Sequence, residues 1–478
     1  MTARSTASRR PARRAARKTP QQRLWGKDTL AIERMSEEGR GVARREGKIV
    51  FVSGALEGEQ VSVQCTAVNK GYDEATMIAR IADTAPNPER VSPACAIYAD
   101  CGGCSLQHWS LEAQQQHKQA TLLAKLQPMT PLQLEPPILS AGAGFRHRLR
   151  LMVTRAPDRR YLLALRQHRS HEAVTLAHCT VANAAVNAAV KALPAQLLNA
   201  PDLQGLREIE IDADSDNRIG LCFYFAANPG EKVLAALRTA VLVAPVVALR
   251  VRLNAQRKAR GESLHDEWGE EEVNLRQELM AEGDLCLRSI PQASEGEPTP
   301  AALELRYQPG DFTQTHWQVN TELVARALDW LRPGSDEIAL DLFSGIGNFS
   351  LPLARHARTV HAFESDSGMT ARVTANAQRN GITNVRAVTR NLMAGEVELP
   401  RADIAVIDPP RAGARAACEA LARAKVKRIV YVSCHPATLL RDAQILQQAG
   451  YRLSKAAAVD MFPHTGHSEA IALFQRGK

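Results

Sequence analysis

The sequence predicts an α/β protein. A mainly parallel, doubly wound sheet occupies residues 304–478, behind a mixed α+β region and a small N-terminal β-barrel. Three observations carry this reading. Residues 304–478 alternate β-branched apolar runs with helical patterns, the signature of βαβ units. Residues 25–88 hold short strand-like runs punctuated by glycine, as small barrels do. A chain of 478 residues also exceeds what one core accommodates.

The barrel strands are expected at Thr29–Ile32, Lys48–Val52, Gln60–Gln64 and Glu74–Ala79, with Pro86, Pro88 and Pro93 marking a linker. Ahead of them, residues 1–24 carry eight basic side chains and no acid, against a net charge of +9 for the whole chain. Such a segment buries too little apolar surface to fold and reads as a disordered basic tail. It suits attraction to nucleic-acid phosphates, but a solubilising tail or a transit peptide has the same composition. Within 25–88 acids slightly outnumber bases, so any RNA contact there needs a local face.

The central region, 89–303, is expected to hold a helix at about Leu111–Leu126 and then strands. Arg146, Arg148 and Arg150 recur with period two, which on a strand lines one face with guanidinium groups suited to phosphate. Residues 262–300 are acidic with Pro and Gly and read as an exposed insertion. The apolar run Ala240–Leu249 is interrupted by Pro245 and is too short to span a bilayer, so no membrane segment is expected.

Residues 1–24 hold no apolar core of a secretory signal, so a reducing, cytoplasmic compartment is expected, and with it the odd number of cysteines, nine, and the size of the chain argue against a disulfide framework. Cys65, Cys222, Cys286 and Cys418 stand singly and read as small buried hydrophobes. Cys95, Cys101 and Cys104, with Cys179 further on, form a four-thiol set. Their spacing admits an iron–sulfur cluster, a structural zinc or a redox Cys-x-x-Cys pair.

In 304–478 the strands are expected at Glu337–Leu342, Thr359–Phe363, Val385–Val388, Asp403–Ile407, Arg428–Val432 and Ala470–Phe474. Ligands of such sheets bind at the carboxyl ends of the strands. There the loop Asp341–Phe349 carries Gly345 and Gly347, and Glu364 ends the next strand, where this architecture grips ribose hydroxyls. Ser350 replaces the third glycine of a dinucleotide fingerprint, and no Gly-Lys-Ser/Thr occurs. Asp408 begins Asp-Pro-Pro-Arg, whose prolines fix the backbone at the pocket. Cys434 follows a strand and precedes Pro436, a helix start. A thiol there is expected to be stabilised as the nucleophilic thiolate. Glu469 opens the last strand as a possible base.

Two resemblances sharpen these readings. Glu38–Ala43 and Gly54–Val61 make residues 25–88 similar to the TRAM domain, an OB-like barrel of RNA-modifying enzymes. The motifs Asp311–Gln314, Asp341–Phe349, Asp408–Gly413, Val432–Thr438 and Met461–His467 make 304–478 resemble the Rossmann-like catalytic domain of the RNA (uracil-5-)-methyltransferases. With barrel and cysteine set together, the chain looks most like the branch acting on 23S rRNA. The resemblance implies a pocket for S-adenosylmethionine and the target base lined by Gln314, Phe343, Asn348, Glu364, Asn391 and Asp408. It makes Cys434 the nucleophile and Glu469 the base, and it implies a [4Fe-4S] cluster on Cys95, Cys101, Cys104 and Cys179. A cytoplasmic monomer with 23S rRNA as its partner, and no obligate protein partner, is expected. Another rRNA uridine, a tRNA target, or a non-catalytic role in ribosome assembly are the alternatives.

Overall fold

The structure, a computed structural model, describes residues 24–129, 133–168, 170, 172–198, 203–241, 245–253, 284–289, 301–393 and 395–477. The basic tail at 1–23 and most of the acidic stretch 262–300 therefore lie outside the described residues. The chain divides into two compact units. One comprises residues 1–36 and 40–87, and the other residues 37–39 and 88–478.

The first unit contains β1 (Lys27–Ala31), β2 (Arg34–Met35), β3 (Gly41–Arg45), β4 (Lys48–Ser53), β5 (Gln60–Val68) and β6 (Tyr72–Arg80), in the sheet order β1-β5-β6-β4-β3-β2. Register shifts between β5 and β6 mark bulges, which bend a sheet and tighten its twist. Alternating side chains such as Val50, Val52, Val61 and Val63 fill its own apolar core. Strands β2 and β3 escape the sequence reading because each is short and rich in arginine.

The second unit begins with α1 (Leu111–Leu126), at the bounds the sequence predicts. Strand β7 (Gln133–Leu134) follows, then β8 (Arg148–Arg155), β9 (Tyr161–Arg166) and β10 (Ala173–Thr175). Next come α2 (Ala184–Leu197), β11 (Leu206–Ala213), β12 (Ile219–Phe225), α3 (Glu231–Val241) and β13 (Val246–Leu253). The sheet order is β10-β9-β8-β11-β12-β13. The run Ala240–Leu249 thus ends a helix and starts a strand.

The expected arginine face is mostly neutralised. Arg148 and Arg150 lie opposite Asp212 and Glu210 on β11. Arg148 pairs with Asp212, and Arg150 with Glu208 at 2.7 Å. Cross-strand acids, invisible to a local reading, hold these guanidinium groups.

Strands β14 (Leu285–Arg288) and β15 (Glu304–Tyr307) form an antiparallel ribbon. Leu285, Cys286 and Leu287 are buried, so this part of the expected insertion is core instead of exposed.

The largest sheet holds eight strands in the order β18-β17-β16-β19-β20-β22-β21-β7. Their bounds are β16 (Ile338–Leu342), β17 (Thr359–Glu364), β18 (Val385–Thr389), β19 (Ile404–Ile407), β20 (Arg428–Ser433), β21 (Tyr451–Val459) and β22 (Glu469–Arg476). Strands β16 to β20 are parallel; β22 is antiparallel to β20 and β21. Strand β21 is absent from the sequence reading because its Ala-rich stretch has a helical composition. The helices are α4 (Trp317–Leu331), α5 (Ser350–Ala354), α6 (Ser367–Arg379), α7 (Arg415–Arg423) and α8 (Pro436–Gln448). They cover both faces, with one apolar core on each side. Strand order reverses direction between β16 and β19, which opens a crevice at their carboxyl ends. Among the described residues no helix is long and apolar enough to cross a membrane.

Candidate active site

The predicted residues gather at that crevice because of strand register. Leu342 pairs with Ile407, so the loops starting at Phe343 and Asp408 leave the sheet side by side. Ser433 pairs with Ala470 in the antiparallel β20–β22 ladder. The next residues outward, Cys434 and Glu469, therefore face one another across two strands.

The loop after β16 turns sharply. Phe343 takes φ +68°, a left-handed conformation that a bulky side chain rarely adopts. The N–H groups of Phe343 and Ser344 both donate to the Phe363 carbonyl, at 2.9 and 3.0 Å, and hold it there. Gly347 has φ +99°, and a Cβ on it would stand 2.6 Å from Leu351. Asp341 is fully buried and accepts the Ser350 hydroxyl on one oxygen; its other oxygen has no partner. Burial, opposed by the Ser350 hydrogen bonds and reinforced by Glu364, raises its pKa to about 7.

Glu364 ends β17 as predicted, but it also organises the loop. One oxygen accepts the Gly345 N–H at 3.1 Å, and the other accepts the N–H groups of Ser365 and Asp366. Asn348 exchanges two amide hydrogen bonds of 2.9 Å with buried Asn320 on α4, a partner that no motif announces. Asn391 is exposed. Its neighbour Arg390 donates to the Glu364 carbonyl at 2.7 Å, and its own side chain caps the Met393 N–H.

On the acceptor side, Gln314 donates to Asp408 at 3.2 Å. Burial and the neighbouring Asp341 raise the Asp408 pKa to about 7 against the lowering effect of that hydrogen bond. Glu469 is 4% exposed, and one carboxylate oxygen has no partner. Burial, with Asp408 added, raises its pKa to about 8. The thiol of Cys434 is raised to about 11, first by burial and then by Glu469 and Asp408; Arg411 opposes. The expected thiolate at rest is thus corrected. Burial and two carboxylates outweigh the helix N-terminus at His435–Pro436.

Helix α8 also clamps the Asp408–Ala414 loop. Buried Asp442 accepts the Ala414 N–H at 2.6 Å and the Tyr431 hydroxyl at 2.7 Å. Arg441 donates to the Ala412 carbonyl at 3.0 Å. Gly413 has φ +76°, and a Cβ there would lie 2.6 Å from an Asp442 carboxylate oxygen, which explains the glycine. Arg411 places Nη2 2.9 Å from Nδ1 of His467 at the mouth. Arg411 and His467 fall within the motifs Asp408–Gly413 and Met461–His467, but nothing local in the sequence marks a role for either.

Burial raises two thiols of the cysteine set, Cys101 and Cys104. Cys104 is raised to about 11 by burial and by Cys179, Cys101 and Cys95, with Gln107 opposing. The Gly103 N–H points at the Cys101 sulfur at 3.4 Å, and Asn187 holds the Cys179 backbone. Among the described residues, however, no group of three or more His, Cys, Asp or Glu is gathered closely enough to hold a metal ion. The chemistry of the thiols, soft sulfur donors with one amide hydrogen bond to sulfur, suits a thiolate-held group. They are not a ready-made single-ion site.

A group of acids (buried Asp341 and Glu469 with half-buried Asp408) beside a thiol can receive a cationic group and exchange protons. Comparison with known proteins agrees. Residues 300–477 match the family described as tRNA (Uracil-5-)-methyltransferase, and residues 29–78 match the TRAM domain. A Hahella chejuensis protein named 23S rRNA (uracil(1939)-C(5))-methyltransferase RlmD is 34% identical, across 97% of this chain and 99% of that one. A Pseudomonas putida protein of the same name is 37% identical across 96% of each. The crystal structure of a Pyrococcus abyssi tRNA (uracil-54, C5)-methyltransferase with S-adenosyl-L-homocysteine superposes with a TM-score of 0.66 at 22% identity. It covers 94% of this chain and 100% of that one, and shows the shared fold. From barrel to final hairpin, this chain belongs to the RNA (uracil-5-)-methyltransferase family.

Proposed function

We propose that this protein transfers a methyl group from S-adenosylmethionine to carbon 5 of a uridine in 23S rRNA, the uridine equivalent to the one named for its relatives. The observation that carries the reading is the register that sets Cys434 against Glu469 beside the acid-lined donor crevice. The acids Asp341, Asp408 and Glu364 favour a sulfonium cation over its neutral product. Phe343, Asn348 and Asn391 complete the donor side, and Gln314 with Asp408 faces the uracil ring.

The chemistry follows from the residue types. Carbon 5 of uracil is a weak nucleophile. Cys434 passes its proton to water and its thiolate bonds carbon 6, so that the carbon 5–carbon 6 π pair moves onto carbon 5 and the carbon 4 oxygen as an enolate. Carbon 5 takes the methyl group from the sulfonium, whose broken carbon–sulfur bond leaves its electron pair on sulfur and releases neutral S-adenosylhomocysteine. Glu469, as carboxylate, then removes the carbon 5 proton; the carbon–sulfur electron pair returns to the ring and Cys434 leaves. The target atom is unreachable in a stacked helix, so the uridine is flipped out or lies in a loop.

In this reading residues 1–24 are a basic tail, 25–88 the RNA-binding barrel, 89–303 the iron–sulfur and RNA-binding domain, and 304–478 the catalytic domain. Cys95, Cys101, Cys104 and Cys179 would hold a [4Fe-4S] cluster as a structural staple, and no catalytic step needs it. The protein acts as a cytoplasmic monomer. The test is transfer of a labelled methyl group by purified protein to 23S rRNA and to tRNA, followed by mass mapping. Labelled 5-methyluridine at one 23S position is expected. Label in tRNA alone would overturn the substrate assignment.

A further inference from the structure

The loop that carries the base is fixed from outside the catalytic sheet. Residues 460–468 connect β21 to β22, and Val459, the last residue of β21, is the register partner of Glu469. What holds this connection therefore holds the carboxylate. The Asp460 N–H donates to the Ile138 carbonyl at 2.8 Å. Its carboxylate is 4% exposed and takes Lys118 Nζ at 2.8 Å and Gln115 Nε2 at 2.9 Å. The same Lys118 ammonium donates to the Phe462 carbonyl at 2.8 Å. Two residues on, His464 stands at φ +61°, and its N–H donates to Gln114 Oε1 at 2.9 Å. Its carbonyl accepts the N–H groups of Ser105 and Leu106 at 2.8 and 3.0 Å, directly after Cys104. Lys118, Gln115 and Gln114 all belong to α1, more than 300 residues earlier in sequence.

A buried lysine costs desolvation, and burial does lower its pKa, with Asp460 opposing. Packing α1 to the sheet needs only apolar residues such as Leu122 and Leu126. The polar turn of α1 instead matches the Phe462 carbonyl, the His464 N–H and the Asp460 carboxylate.

We infer that Gln114 and Lys118 are positioning residues for Glu469, setting the carboxylate for proton removal without touching substrate. The inference rests on Glu469 being the base. A shifted carboxylate leaves thiol addition and methyl transfer intact and slows only the last step. There the carbon 5 proton passes to Glu469, the carbon–sulfur bond breaks, and its electron pair restores the ring double bond. The methylated covalent adduct then accumulates.

The test uses full-length protein, labelled S-adenosylmethionine and a 23S rRNA fragment in single turnover. Two variants are compared with the parent and with Glu469→Gln. Gln114→Leu removes the Gln114 contacts to His464; Lys118→Met with Asp460→Asn removes the ion pair without stranding a charge. A displacement of the base of about 1 Å slows its step on the order of 10- to 100-fold. RNA release should slow accordingly, label transfer should stay within about three-fold of the parent, and a labelled adduct should persist on a denaturing gel. If the paired variant does not fold, Gln114→Leu decides. Adduct with Glu469→Gln but not with the α1 variants overturns the positioning role alone. Absence of adduct with Glu469→Gln overturns the base assignment, and the inference falls with it.

Discussion

Replacing Glu469 by Gln should stabilise the fold at alkaline pH while ending turnover. The carboxyl is buried, one oxygen lacks a partner, and its pKa stands at about 8 against an ordinary 4.5. The folded chain therefore holds this proton more tightly than the unfolded chain. Its stabilising contribution is complete below about pH 4.5 and is lost as pH rises through about 8. The gap between 4.5 and about 8 corresponds to about 5 kcal/mol in the fully ionised state. Part of that reflects Asp408, itself raised to about 7, so a neutral amide at 469 should recover roughly 2–4 kcal/mol near pH 8.5. Near pH 5 the advantage should shrink to about 1 kcal/mol or less. Thermal melts of both proteins at the two pH values measure it, with a rise of a few degrees at about pH 8.5. Equal melting temperatures at pH 8.5, or a less stable variant, would refute the assignment of Glu469 as a buried acid with a raised pKa.

Three further outcomes are expected. Turnover should rise with pH from about 6 to 9, as Glu469 becomes the carboxylate needed for the last step and the Cys434 thiol, raised to about 11, loses its proton more readily; a flat pH profile of kcat would contradict this. Gly413→Ala should destabilise by about 2–4 kcal/mol and cut kcat, because a left-handed backbone and an overpacked contact with Asp442 coincide; an unchanged melt would show that the loop yields cheaply. Anaerobically purified protein should carry iron and sulfide, with charge-transfer absorbance that Cys101→Ser removes; zinc without iron would overturn the cluster.

Much of the fold was legible because its signals are local. Apolar β-branched runs located β16 to β20 and β22, and Ser110, Glu112 and Lys125 bracket α1 with ordinary capping chemistry. The motifs at Asp341, Asp408, Cys434 and Glu469 were legible because each falls at a strand end. What stayed hidden is non-local. No local pattern foretells that β11 supplies Glu208 and Asp212 to the arginines of β8, or that Asn320 pairs with Asn348. The thiolate expected of Cys434 failed for the same reason: its neighbours in sequence favour ionisation, but its neighbours in space, Glu469 and Asp408, oppose it. Short strands such as β2 and β7 exist only through their pairing partners and leave no periodicity to read.

The most direct measurement concerns the Cys434 sulfur. Glu469→Gln protein incubated with 23S rRNA and S-adenosylmethionine, then digested with protease and nuclease, should yield one cross-linked peptide. Its mass should place a methylated uridine on the peptide that contains Cys434. A nucleotide attached to any other side chain, or methylated RNA made by a Cys434→Ala protein, would contradict covalent catalysis through this thiol.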